Sequence, residues 1–222
     1  MATPEVRDPS PPAASSDSRW PAILGLFAFA GLYLILPERL TAGPNWLLLA
    51  VLVLLLVPAV AAKRAGRSTA NFVFGVALSA VITMAMVWSL AMLIAGIPDK
   101  RVPAPELLRA AIVLWLSNIL VFASWYWRLD AGGPHARHKR HFHSNGDFLF
   151  PQMTLPPHIA PAYKSWKPEF VDYLFLAFNT STAFSPTDVP VLSRWAKILM
   201  MVQSAISLAT LAILAARAIN IL

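Results

Sequence analysis

Apolar residues in this chain gather into long runs closed by polar or charged residues, with no strand-like alternation. Four such runs cover residues 20–36, 46–62, 71–97 and 105–127. Each approaches or exceeds the roughly 20 residues that cross a hydrocarbon core at a rise of about 1.5 Å per residue. Pro37-Glu38-Arg39 stops the first run, Lys63-Arg64 closes the second, and Pro98-Asp99-Lys100-Arg101 ends the third. Pro105-Glu106 opens the fourth, a proline and an acid where a helix N-terminus favours them, and Trp127-Arg128 ends it. Trp20, Trp46, Trp125, Tyr126 and Trp127 lie at run ends, as an aromatic belt at headgroup depth would. A last run, from about residue 193 to 222, starts beside Arg194 and Lys197 and carries Arg217 near its far end. The pattern predicts an all-α polytopic membrane protein: four spanning helices, a re-entrant or short helix, and a final spanning helix.

Between these runs the pattern changes character. Residues 1–19 hold Pro4, Pro9, Pro11 and Pro12 among Ala, Ser and acidic residues, a composition that reads as a disordered tail. The first apolar run starts only behind that mixed-charge tail, so it reads as a retained helix rather than a cleaved signal peptide. Residues 128–169 replace aliphatics with Pro, Gly, His and charge, predicting a long basic loop with extended segments along the surface. Residues 170–178 are apolar but short, and Asn179, Thr180, Ser181 and Thr182 follow in a row. Polar groups at membrane depth persist only when buried in protein or lining water. A short helix in, a polar turn, and a long helix out describe a re-entrant hairpin over residues 170–222.

Composition agrees with a bilayer as solvent. Hydrophobic residues are 57% of the 222 and charged residues 13%, about half the charged share of a typical soluble domain. There is no cysteine, which excludes disulfides and thiolate metal sites. The formal charge of +7 comes from 18 Lys and Arg against 11 Asp and Glu. Most of the cations flank apolar runs, so they read as topology determinants beside anionic lipid and not as a nucleic-acid surface. With a cytoplasmic N-terminus, the inner loops hold Lys63, Arg64, Arg67, Arg128, Arg137, Lys139, Arg140, Lys164 and Lys167, and the outer loops Arg39, Lys100 and Arg101. That bias predicts a cytoplasmic N-terminus and a cytoplasmic long loop.

Two resemblances attach to the last part of the chain. Residues 173–204 resemble the pore module of two-helix potassium channels: a short helix rich in Tyr and Phe, Asn179 to Thr182 at the filter-entrance threonines, Asp188 near the filter-exit aspartate, and Arg194 before the inner helix. The channel filter is Thr-Val-Gly-Tyr-Gly, whereas this chain reads Thr182-Ala183-Phe184-Ser185-Pro186, without the glycines that aim successive carbonyls at the ion. Potassium selectivity is not expected. The second resemblance is to short bacterial membrane proteins known as a family of unknown function. It rests on Asp172-Tyr173, Phe175, Phe178, Thr180 to Thr182, Thr187-Asp188-Val189, Arg194 to Lys197 and Ala218-Ile219-Asn220. It implies a bacterial plasma membrane and a fold, but no activity.

The polar residues admit two readings. Asn179, Thr180, Ser181, Thr182, Asp188, Gln203, Ser207 and Thr210 are candidates to line a solute path, the last three of the helix sharing a face at i, i+4, i+7. Alternatively their hydroxyls and amides hydrogen-bond neighbouring backbone and helices. Arg137, Lys139 and Arg140 are candidates for anionic lipid, and His135, His138, His141 and His143 are weak metal candidates beside those same cations. No phosphate loop, His-Glu-x-x-His or nucleophile elbow occurs, so neither an enzyme nor a cofactor is expected. The expectation is a channel-like or solute-conducting protein. The alternative is a non-conducting scaffold that binds lipid or a partner, with a homo-oligomer possible in either case.

Overall fold

The computed structural model describes residues 20–97, 103–139, 146–156, 166–182 and 188–219. Among them the chain is helical, with one isolated bridge between Phe148 and Val191. In chain order the helices are α1 (Trp20–Ile35), α2 (Asn45–Arg64), α3 (Ser68–Ala95), α4 (Ala104–Leu129), α5 (Pro134–Lys139), α6 (Pro151–Thr154), α7 (Phe170–Thr182) and α8 (Arg194–Ile219). Four stretches are long and apolar enough to cross a membrane: Trp46–Arg64, Ser68–Ala95, Ala104–Gly132 and Arg194–Ala216. The first apolar run forms a helix of 16 residues, about 24 Å at 1.5 Å per residue, shorter than the other candidates.

Local signals set the helix ends. Pro44 and Pro103 precede α2 and α4, where their fixed φ suits the entry and the missing N–H costs nothing. Lys63 and Arg64 close α2 beside its exposed carbonyls. At the start of α7 the Asp172 carboxylate reaches back to accept from the Glu169 backbone N–H at 2.7 Å, the return arm of a capping box.

Helix α4 is the central post. Of its apolar window 61% is buried, against 17% for α2 and 22% for α8, so the others pack around it. It meets α1, α3, α7 and α8, while α2 pairs mainly with α3. Trp46, Val53, Leu54 and Val57 on α2, Met84 and Trp88 on α3, and Ile198, Met201 and Leu208 on α8 are exposed, an apolar exterior suited to lipid. The bundle has two unlike ends. One holds the α2–α3 turn, the C-terminal end of α4 and the starts of α7 and α8. At the other, Arg39 pairs with Glu106 at 2.5 Å, joining the α1–α2 connection to the start of α4.

Candidate functional site

The path of α7 and α8 is built on α4. Phe170 meets Trp127 edge-to-face at 6.1 Å, and Tyr173 reaches Asp130, so α7 starts at the end where α4 finishes. It runs back along α4 until Ser181 faces Asn118, about 16 Å in from Leu129 by helical rise. By Val191 the chain has returned: Leu192 N–H donates to Asp147 O at 2.8 Å and Leu149 N–H to Pro190 O at 3.0 Å. Helix α8 therefore starts at the end from which α7 entered.

Gln203 lies at the centre of the contact among α4, α7 and α8, with no exposed surface. Its Nε2 donates to Ala177 O at 2.6 Å and to Ser181 Oγ at 2.8 Å, and its Oε1 accepts from Tyr126 Oη at 2.5 Å. Asn118 Nδ2 donates to Gln203 O at 3.2 Å and lies 3.4 Å from Ser181 Oγ. One turn on, Ser207 Oγ donates to Ser181 O at 2.6 Å and accepts from Trp115 Nε1 at 3.2 Å. Ser207 thus meets a carbonyl that the end of α7 would otherwise leave without an intrahelical donor. Asn118 Oδ1 is buried and has no hydrogen-bond partner among the described residues.

The candidate path residues thus divide. Thr180, Ser181, Gln203, Ser207 and Thr210 are buried. Thr180 Oγ1 donates to Leu176 O at 2.8 Å and Thr210 Oγ1 to Ser207 O at 2.8 Å, each within its own helix. Asn179 and Thr182 are half-buried, Thr182 donating to Phe178 O at 2.9 Å, and Asp188 is exposed. Asn179 to Thr182, which the sequence suggested as a polar turn, form the end of α7, and residues 183–187 lie outside the described residues.

A second polar cluster closes the end of α4, and its acids were not singled out from the sequence. Asp130 is fully buried and its carboxylate accepts from Asp147 N–H at 2.6 Å and Tyr173 Oη at 2.5 Å. Burial, with Asp130 beside it, holds the Tyr173 phenol well above its ordinary pKa, so the proton stays on tyrosine. Asp147 in turn accepts from Ala131 N–H at 3.2 Å and Trp195 Nε1 at 3.0 Å. The chain can turn tightly here because Ala131, Gly132 and Gly133 all have positive φ, two of them glycines.

Two expectations change at this cluster. Arg137, assigned from sequence to a lipid-facing strip, is buried: its Nη1 donates to Trp127 O and Asp130 O, each at 2.8 Å, and its guanidinium stacks 5.1 Å over the Tyr173 ring. The carbonyls at the end of α4 need donors, and an internal arginine supplies them. Tyr126 and Trp127 are likewise buried and do not form an aromatic belt, whereas exposed Trp46 suits one. Lys139 and His135 and His138 lie on α5 with undescribed side chains, and Arg140, His141 and His143 lie outside the described residues. Among the described residues no cluster of His, Asp or Glu could hold a metal ion.

Comparison with protein-family models, curated proteins and solved structures finds no match. Any functional reading therefore rests on this geometry alone. Of the acids that sequence reasoning missed, Asp130 had a partial signal, because it sits just beyond the end of the fourth apolar run.

Proposed function

We propose that the chain is a non-conducting integral membrane protein, a scaffold that binds lipid, and that its re-entrant hairpin is a structural brace. The observation that carries this reading is the Gln203 network. Its side chain makes three hydrogen bonds across α4, α7 and α8, and the hydroxyls and amides around it are turned to one another. Interhelical bonds of this kind hold membrane helices in register, because a polar group left unpaired in hydrocarbon is costly. The test is ion flux into liposomes holding purified protein, over several cations and anions and both polarities of voltage. No flux above protein-free liposomes is expected, and reproducible flux would overturn the reading.

One observation favours the channel-like alternative. Helix α7 stops at mid-depth with half-buried Asn179 and Thr182 at its end, and Asn118 Oδ1 is an acceptor at the same depth with no donor among the described residues. On that reading Asp188 would concentrate cations at a mouth, so Asp188→Asn would lower cation flux at low ionic strength and less at high salt. Potassium and sodium would pass alike, because the glycine-built carbonyl ladder is missing.

A further inference from the structure

The threonines of α7 and α8 donate back into their own helices. Thr180 Oγ1 donates to Leu176 O at 2.8 Å, Thr182 Oγ1 to Phe178 O at 2.9 Å and Thr210 Oγ1 to Ile206 O at 3.0 Å, each four residues back. Ser181 departs from this pattern. The carbonyl four residues before it, Ala177 O, receives Gln203 Nε2 at 2.6 Å in addition to its helical N–H, so both of its lone pairs are engaged. Ser181 Oγ instead accepts twice, from Gln203 Nε2 at 2.8 Å and from Asn118 Nδ2 at 3.4 Å. An amide nitrogen only donates, so the serine's own proton meets no acceptor in either contact, and none occurs among the described residues.

The converse group lies across the contact on α4. Asn118 Oδ1 is fully buried and has no donor among the described residues. Turning the amide over would not supply one. Its oxygen would then face Gln203 O, which Nδ2 now meets at 3.2 Å, acceptor against acceptor. What is left over is one proton on α7 and one acceptor on α4. The oxygen and nitrogen of a side-chain amide are about 2.2 Å apart, so Asn118 Oδ1 lies no more than about 5.6 Å from Ser181 Oγ. Two O–H···O bonds of about 2.8 Å each reach that far.

We propose that one water molecule binds between α4 and α7 at this point, accepting from Ser181 Oγ and donating to Asn118 Oδ1. The surrounding side chains exclude anything larger, because Asn118, Ser181 and Gln203 have no exposed surface. The chemistry of the site excludes a metal cation. The Ser181 oxygen has spent its lone pairs on two N–H groups and turns a proton, not a lone pair, to the site. Buried polar groups of this kind are served in proteins by water that makes roughly two to four hydrogen bonds. Here the water adds a link between α4 and the last turn of α7. The assignment deepens the reading of the hairpin as a brace, and rests on it for what the water does and not for its presence.

The experiment is a crystal structure of the full chain in a lipidic mesophase, at a resolution that shows ordered waters. One peak is expected within about 2.6–3.2 Å of both Asn118 Oδ1 and Ser181 Oγ. Ser181→Ala removes the donor and leaves Gln203 held by Ala177 O and Tyr126, and should lose that peak. Thr180→Val, at the preceding residue but bonded within its own helix, should keep it. Crystals grown in rubidium chloride in place of sodium chloride should give no anomalous signal at the position. A side chain from residues 183–187 in the place of the water, no density between the two atoms, or a peak that survives Ser181→Ala would each overturn the site. Loss of the peak in both variants would overturn the assignment of its donor to Ser181, and a rubidium signal would overturn water in favour of a cation. The wild-type density decides by itself if Ser181→Ala fails to fold. Flux in liposomes tests the non-conducting reading separately: a conducting protein that shows the peak keeps this water and loses only that reading.

Discussion

At the scale of single residues, the side chain of Gln203 is engaged with α4 and α7, and its worth can be measured. Gln203→Met keeps an unbranched chain of similar length and removes three hydrogen bonds. Interhelical bonds in membrane proteins average about 0.6 kcal/mol each, so the substitution should cost about 2 kcal/mol in reversible unfolding by denaturing detergent. A cost indistinguishable from zero would mean that the network does not brace the hairpin. Tyr173→Phe removes a hydrogen bond to the buried Asp130 carboxylate. A hydrogen bond to a charged group contributes about 1.5–3 kcal/mol, and Tyr173→Phe should lose an amount in that range by the same titration. Gln203, Ser207 and Thr210 were legible in the sequence as a shared face at i, i+4, i+7. That they would meet Asn118 and Tyr126 was not, because sequence spacing gives the face of one helix and not which second helix will meet it.

At the scale of elements, the apolar runs and their closing prolines and charges marked α2, α3, α4 and α8 to within a few residues. The short fifth run, too brief to cross and followed by four polar residues, pointed to α7 as a helix that turns back. Helix α7 starts beside Trp127 and stops opposite Asn118, and the chain is beside Asp147 by Leu192. Single cysteines at Glu169 and Leu192, both exposed, should therefore be labelled from the same side of the membrane by an impermeant thiol reagent. Labelling from opposite sides would make α7 a crossing helix. The basic loop was legible only as composition. That Arg137 would turn inward to cap α4 depended on Trp127 and Asp130 leaving their carbonyls toward it, and no periodic signal carries that information. The α3–α4 contact has its own test. Gly75→Ala places a methyl group where the Arg128 guanidinium lies, so the arginine must leave its notch. Loss of about 1–3 kcal/mol is expected, as for other overpacked interiors.

At the scale of the whole molecule, the placement of charge decides which way the bundle faces. The α2–α3 turn, the end of α4 and the start of α8 bring Lys63, Arg64, Arg67, Arg128, Arg194 and Lys197 to one end. Among the described residues the opposite end has Arg39, paired with Glu106, and Arg109 within the second turn of α4, and the sequence between α3 and α4 adds Lys100 and Arg101. Lysine and arginine counted over short connections orient membrane proteins, because they are retained on the cytoplasmic side during insertion. Gly25 on α1 packs against Phe170, with 3.0 Å from the position of an added Cβ to the ring, so α1 begins at the cation-rich end as well. Its helix is about 24 Å long, and a short apolar segment is accommodated by local thinning or snorkelling at modest cost. An N-terminus on the same side as the α2–α3 turn follows if α1 spans. Two positions at the ends of α2 test the orientation in this cysteine-free chain: Ala42 before it and Ala65 after it, both exposed. In intact cells, a cysteine at Ala42 should react with an impermeant reagent added outside, and one at Ala65 should react only after the membrane is opened. The reverse pattern would invert the molecule and place its cation-rich end outside, against the insertion rule.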